Sequence, residues 1–337
     1  MSRTLVKRLA FPVLIIFGLL VASFLIPFLN PDYDKITQYL MDDNNKVTAA
    51  PPFTPEEMPL LGSDRLGRNF LLLLIAGAKF TIFAALFIAA LRMIFGFGFA
   101  LLYTFLPGSF TRTLKGLGEA FQYLPLAIVV FGLLAPLEGA FQGDALPSSR
   151  YFFIQLAGMA AITIPSLGIY LGEEMKLFMK QEFVDVSKTM GAGRFHLIRK
   201  HLLPQFLRHS IVLFSEQVSQ ALSLLIQLGI ILMALGGMKV AEFAIGPFEP
   251  SNPVYFSETN EWAATISMNI QQVFTTPLLV VVPLILFSIL ILSINSISAT
   301  LKKVLIDSDL PFQKEVSGEK KANEKVVRSE ELFTFKG

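Results

Sequence analysis

Runs of about 20 apolar residues, with the charges pushed into the segments between them, leave this 337-residue chain few ways to fold. About 20 residues is the length an α-helix needs to cross a bilayer. Charged residues make up 16% of the chain, against roughly 25% in soluble proteins, and mean hydropathy is +0.59. The pattern predicts an all-α integral membrane protein with several spans. A net charge of +2 is too small to argue for a nucleic-acid partner, and no cysteine is present, which excludes disulfides and cysteine-ligated metals.

Six spans are expected, at roughly Leu9–Leu29, Ile75–Leu106, Leu117–Leu137, Phe152–Leu171, Ile211–Leu235 and Thr276–Ser298. The first follows Arg3, Lys7 and Arg8 and is longer than a signal-peptide core. No small-x-small cleavage site follows it, so it reads as a retained helix. The second is too long for one perpendicular crossing, and Leu71–Gly77 is expected to lie along the interface before the span proper begins near Lys79. The organisation that follows is an N-terminal helix (1–30), an outer loop (31–74), a five-helix core (75–306) that carries a long loop (173–209), and a charged tail (307–337). The tail is poor in apolar residues and is expected to be disordered.

Lysine and arginine set the orientation. With the N-terminus inside, the inner segments 1–8, 107–117, 173–209 and 301–337 hold 20 of them, and the outer segments hold six. The first outer loop is acidic, with Asp32, Asp34, Asp42, Asp43, Glu56 and Glu57. Both termini are therefore expected in the cytoplasm.

The inner stretch Gln181–Gln205 is too long for a tight turn and has helical periodicity of its own. Phe183, Val186 and Met190 recur at i, i+3, i+7 and predict one apolar face, with Asp185 and Lys188 on the polar side. Gly191 and Gly193 are expected to stop that helix. A second amphipathic turn would carry Phe195, Ile198 and Leu202 against Arg194, Arg199 and Lys200, with Pro204 closing it. On periodicity alone, this pair of short helices suits either a handle for a partner or an interfacial anchor on lipid headgroups.

The spacing Asp185-x5-Gly191-x9-His201-Leu202-Leu203-Pro204 resembles the signature loop of ABC-importer permeases, Glu-Ala-Ala-x3-Gly-x9-Ile-x-Leu-Pro. Lys200-His201-Leu202-Leu203-Pro204 is similar to the Arg-His-x-Leu-Pro of the oligopeptide/dipeptide/nickel branch. Asp185 replaces the usual Glu, and Val186 and Ser187 replace the two alanines. Gly62-Ser63-Asp64-Arg65-Leu66-Gly67-Arg68-Asn69 with Gly77-Ala78-Lys79 resembles the segment before the second span of the C-type subunit, where Asp64 reads as a helix cap. Glu119-x5-Pro125 and Glu261-Trp262-Ala263 match two further places. The resemblance runs from Leu5 to Asp307 and is poorest in the outer loop 237–276.

The resemblance implies a type I importer permease fold with six spans in a bacterial cytoplasmic membrane. It implies a subunit with no catalytic residue and no bound cofactor. The partners would be a second homologous permease subunit, two ATPase subunits that carry ATP and Mg2+, and an extracytoplasmic substrate-binding protein, with membrane lipid around the bundle. Phe183, Asp185, Val186, Met190, Gly191, Ala192, Phe195, His201, Leu203 and Pro204 would then couple the ATPase to the bundle. Peptide is the substrate that family frequency favours, with nickel, a metal chelate or another small solute as the alternative. A secondary transporter that works without an ATPase is the competing reading, and it would not require the Asp185…Gly191…Leu203-Pro204 spacing.

The main ionisable groups inside expected spans are Arg92 and Glu216, and such groups turn inward or serve function. An ion pair between them is expected, with contact to substrate as the other reading. The three histidines, His196, His201 and His209, lack the i, i+4 spacing of helix-borne zinc, so no metal site is expected. His-Glu-x-x-His, a cysteine nucleophile and Gly-x4-Gly-Lys-Ser/Thr are all missing from the sequence.

Overall fold

The computed structural model describes residues 3–42, 46–142, 146–243 and 252–305. The charged tail lies outside the described residues. The chain forms helices α1 (Arg3–Leu29), α2 (Phe70–Thr104), α3 (Gly108–Gln122), α4 (Leu126–Gln142), α5 (Ser148–Phe178), α6 (Glu182–Thr189), α7 (Arg194–Leu197), α8 (Leu203–Ile230), α9 (Trp262–Asn269) and α10 (Leu278–Leu305). Two antiparallel strand pairs sit in the loops. Strands β1 (Leu40–Met41) and β2 (Val47–Ala49) precede α2, and β3 (Lys239–Phe243) pairs with β4 (Asn252–Phe256) before α9.

Among the described residues, five helical segments are long and apolar enough to cross a membrane: Leu9–Leu29, Phe70–Thr104, Ser148–Phe178, His209–Ile230 and Leu278–Val304. The third expected span is not one helix. Residues 117–122 close the amphipathic α3, the helix breaks ahead of Pro125, and a separate apolar helix starts at Leu126. Proline disfavours helical backbone at the residue before it, which explains the break. At 17 residues α4 is about 26 Å long, just under the bilayer core.

Helix α2 is the spine. Its 35 residues run unbroken for about 52 Å, so Leu71–Gly77 is not a separate interfacial segment ahead of the span. The reason lies in packing: Phe70, Leu74 and Ala78 are buried in the core, so the start of α2 is an interior element instead of an interfacial one. Helices α5, α8 and α1 pack against α2, and α10 closes the bundle against α8 and α1. Small residues on α5 allow the close approach to α2, where Gly168 meets Phe99 and Gly172 meets Tyr103.

The short helix α9 is wedged among α2, α8 and α10. Trp262 is fully buried there, donates its indole N–H to the Leu74 carbonyl at 2.7 Å, and meets Phe287 edge-on. Its backbone N–H, free at a helix start, finds Thr81 Oγ1 at 3.1 Å. A side chain at Gly77 would sit 1.9 Å from the Asn260 carbonyl, so only glycine lets α2 pass this close. Glu261 caps α9 by accepting from the Ala263 and Ala264 amides and also from Leu235 N–H. Its carboxyl is fully buried, and that burial pushes its pKa up to about 7 despite the three amides.

The motif before α2 is a folded turn. Asp64 accepts from the Leu66 and Arg68 amides and pairs with the Arg68 guanidinium at 2.7 Å, with both side chains buried. Asp64 does not cap α2. Asn69 does, accepting from Leu72 N–H at 3.1 Å, because it alone stands at the N-cap position.

Candidate functional site

The loop Gln181–Gln205 is two helical pieces set against the ends of α5 and α8. Helix α6 ends where Gly191 takes φ +88°, a left-handed conformation. Gly191 N–H donates to the Lys188 carbonyl at 2.9 Å and Ala192 N–H to the Ser187 carbonyl at 3.0 Å, the two bonds of a Schellman motif. Open space surrounds the missing Cβ, so the demand for glycine here is conformational. Gly193 differs: at φ −72° and ψ 166° it is the extended N-cap of α7.

Pro204 does not close the second helix. Helix α7 passes through one π-helical turn, Ile198–Leu202, straight into α8, and Pro204 lies in the first turn of α8. Proline has no N–H to give and is tolerated at a helix start. The wider turn takes up the mismatch, with Leu203 N–H donating to the Ile198 carbonyl five residues back. The loop's second half is therefore a rigid extension of α8.

The apolar face differs from the expected one. Val184 is the fully buried residue of α6, a burial that contributes about 1.5–3 kcal/mol, and Leu197 and Leu202 anchor the second half. Leu202 packs with Met175 and Leu171 of α5 and with Met93 of α2. Phe183, Val186, Met190 and Phe195 project outward, Met190 being 83% and Phe195 74% exposed. Phe195 thus parts company with Leu202. An eight-residue helix gives two turns of periodicity, too few to tell Val184 from Phe183 as the buried position.

Polar contacts tie the handle to the bundle. Lys188 Nζ donates to the Met179 carbonyl at 2.9 Å and to Asp185 Oδ1 at 2.8 Å. Both ends of that ion pair are solvent-exposed, so it is worth about 1 kcal/mol or less. Ser187 Oγ lies 3.2 Å from His201 Nε2 and joins α6 to the π turn. His201 also stacks obliquely near Phe183, whose ring meets Phe178 edge-on at the end of α5. Ser187 replaces an alanine of the signature pattern, and its hydroxyl is what makes this bridge. His209 lies apart from the other two histidines, its ring nitrogen 3.0 Å from the Gln205 carbonyl.

Arg92 and Glu216 do not form a pair. Arg92 is fully buried between α2 and α5, donates to the Met159 carbonyl at 3.3 Å, and leaves Nε without a partner. Glu216 lies on the opposite face of α8, exposed, where it lines a cleft of about 490 Å3 with residues of α4 and α5. Helix α8 meets α2 through Ser215 and Val218, so Glu216 at the intervening position turns away.

No family model matches the chain. It is 27% identical over 220 residues to a dipeptide transport system permease protein of Haemophilus influenzae, covering 64% of this chain and 69% of the relative. It is 26% identical over 178 residues to a probable D,D-dipeptide transport system permease protein of Escherichia coli, covering 52% of this chain and 56% of that protein. The Asp185–Pro204 spacing, the five membrane-length helices and these two matches agree: the chain resembles the ABC-importer permease subunits of the dipeptide branch.

Proposed function

We propose that this chain is the transmembrane permease subunit of an ATP-binding-cassette importer of peptides, a multi-pass protein of a bacterial cytoplasmic membrane. In this reading α4 supplies the sixth crossing, both termini are cytoplasmic, and the chain forms half of the pathway beside a second, homologous permease subunit. Two ATPase subunits hold ATP and Mg2+, and an extracytoplasmic binding protein delivers the peptide. The subunit itself performs no chemistry.

One observation carries the reading. Helix α6 buries Val184 inward and presents Phe183, Val186 and Met190 outward, together with Phe195 of α7. Exposed apolar side chains on a braced handle suit a groove in a partner protein. A handle transmits force only if it moves as a body with the bundle, and three features brace this one. The Schellman turn fixes the angle between α6 and α7, Lys188 holds the end of α5, and the π turn makes α7 continuous with α8. A push on α6 then becomes a tilt of α5 and α8, the rigid-body shift between two access states that nucleotide binding biases.

The test is purification of the tagged chain from its own membranes with an assay of co-purifying ATPase activity. Wild type is expected to bring down a nucleotide-binding subunit, and Phe183→Asp and Met190→Glu to lose it while retaining wild-type helix content. Recovery of no ATPase with wild type, or peptide transport by the isolated chain in liposomes, refutes the proposal.

A further inference from the structure

Two polar stripes line the cleft that holds Glu216, beside six apolar residues of α4, α5, α8 and the segment before α4. Thr163, Ser166 and Tyr170 stand at i, i+3, i+7 on α5, and Glu216, Gln217 and Gln220 fill one face of α8. Each set therefore occupies a single helix face, turned to the other across a cleft of about 490 Å3. That size lies in the range of about 300–1,000 Å3 usual for small-molecule sites.

The stripes sit within two of the membrane-length helices, Ser148–Phe178 and His209–Ile230. Lipid rejects such a surface, because a carboxylate and unpaired amides at membrane depth are costly and turn toward water or toward a partner group. Thr163 satisfies its own hydroxyl on the Ala160 carbonyl, and Tyr170 donates to Glu174. Ser166, Glu216, Gln217 and Gln220 make no side-chain hydrogen bond to any described residue. Their donors and acceptors are thus open to whatever enters the cleft. Glu216 is the one charged side chain among the described residues that line it.

We infer that the α5–α8 cleft is part of the aqueous substrate path and that Glu216 is the acceptor there for an ammonium group, the amino end of a short peptide in transit. The amides of Gln217 and Gln220 and the hydroxyl of Ser166 supply neutral bonds for a peptide backbone of any sequence. One carboxylate among neutral polar groups favours a cation without a fixed side-chain pocket, which suits a path that must also let go. The inference rests on the importer reading and names the substrate chemistry that the pathway would recognise.

The chain has no cysteine, so a single introduced thiol reports its own surroundings. The experiment uses the assembled complex in proteoliposomes, with Gln220→Cys, Tyr170→Cys and, as a control on the exposed apolar surface of α2, Ile94→Cys. Charged, membrane-impermeant thiosulfonates are expected to modify positions 220 and 170 about tenfold faster than position 94. A cationic reagent should outpace an anionic one at position 220 by about tenfold, and Glu216→Gln in the same chain should abolish that preference. A peptide with a free amino end should slow the reaction.

Equal rates at all three positions, or reaction only with a lipid-soluble maleimide, overturn the inference. So does protection of 220 and 170 in the complex but not in the isolated chain, since the stripes would then be a subunit seam. ATPase activity is read on the same preparation. If the ATPase is present and the cleft is unreactive, only this inference fails; if no ATPase is recovered, the importer reading fails and takes the inference with it.

Discussion

Replacing Gly191 by alanine isolates the conformational demand of the loop, because nothing lies within 4 Å of the added methyl group. The cost is then that of holding an L-residue at φ +88°, about 1–2 kcal/mol. Every 1.4 kcal/mol is a factor of ten, so opening of the Schellman turn should rise about five- to thirtyfold. The amides that depend on the turn are those of Met190, Gly191 and Ala192, which donate to Val186, Lys188 and Ser187. Their hydrogen exchange, followed by mass spectrometry on the detergent-purified chain, should quicken by that factor while exchange in α2 stays unchanged. Gly191→Asn should recover part of the loss, since asparagine tolerates the left-handed region better than alanine. Gly193→Ser is the counter-case: φ −72° is open to serine, and a serine N-cap for α7 should leave exchange at or below wild-type rates. Equal exchange in Gly191→Ala and wild type, or a larger effect at Gly193 than at Gly191, refutes this reasoning.

Further outcomes concern the core. Trp262→Ala should cost about 3–5 kcal/mol and lower Tm sharply; because Trp262 is the sole tryptophan, its emission in wild type should be blue-shifted and resist quenching until the chain unfolds. Gly77→Ala should destabilise the α2–α9 contact, seen as a lower Tm with unchanged helix content, because the new methyl group would fall 1.9 Å from the Asn260 carbonyl. Glu261 has a folded pKa near 7, above its unfolded value near 4.5, so its contribution is full below pH 4.5 and is lost as pH rises through 7. That loss amounts to roughly 3 kcal/mol, and a Tm series from pH 4.5 to 8 should fall in wild type and stay flatter in Glu261→Gln. Arg92→Leu and Glu216→Gln should add within about 0.5 kcal/mol in a double-mutant cycle of unfolding; a larger coupling would mean that the two side chains do interact.

What the sequence carries well is what local chemistry decides. Apolar length finds α1, α2, α5, α8 and α10, with helix ends off by up to eight residues, and the two glycines mark the break in the loop. What it carries poorly is decided by partners far along the chain. Nothing in Leu71–Gly77 says that Trp262, almost two hundred residues on, will bury that stretch. Pro204 reads as a stop because a proline usually is one, and only the π turn before it, held by Leu202 in the α2–α5 cluster, lets the helix continue. Arg92 and Glu216 were paired by charge alone, yet one faces α5 and the other the cleft, a distinction that rests on how α8 is rotated against α2.

The two classes of resemblance therefore mean different things. Gly62–Asn69, Gly77 and Glu261–Trp262 form a buried bearing: the Asp64–Arg68 pair, the glycine crossing and the capped, tryptophan-filled wedge hold α2 and α9 together. These residues serve the packing of the bundle itself. In the loop, Gly191 makes the Schellman turn and Pro204 enters α8, while Val186, Met190 and Phe195 stay uncovered and Phe183 is half-exposed beside Phe178 and His201. A single chain gains no stability from exposed apolar groups on a braced handle, which is why the proposed ATPase partner is set against this face. Of the departures from the signature pattern, Ser187 bridges to His201, and Asp185 forms a solvent-exposed pair with Lys188 on the polar side of α6.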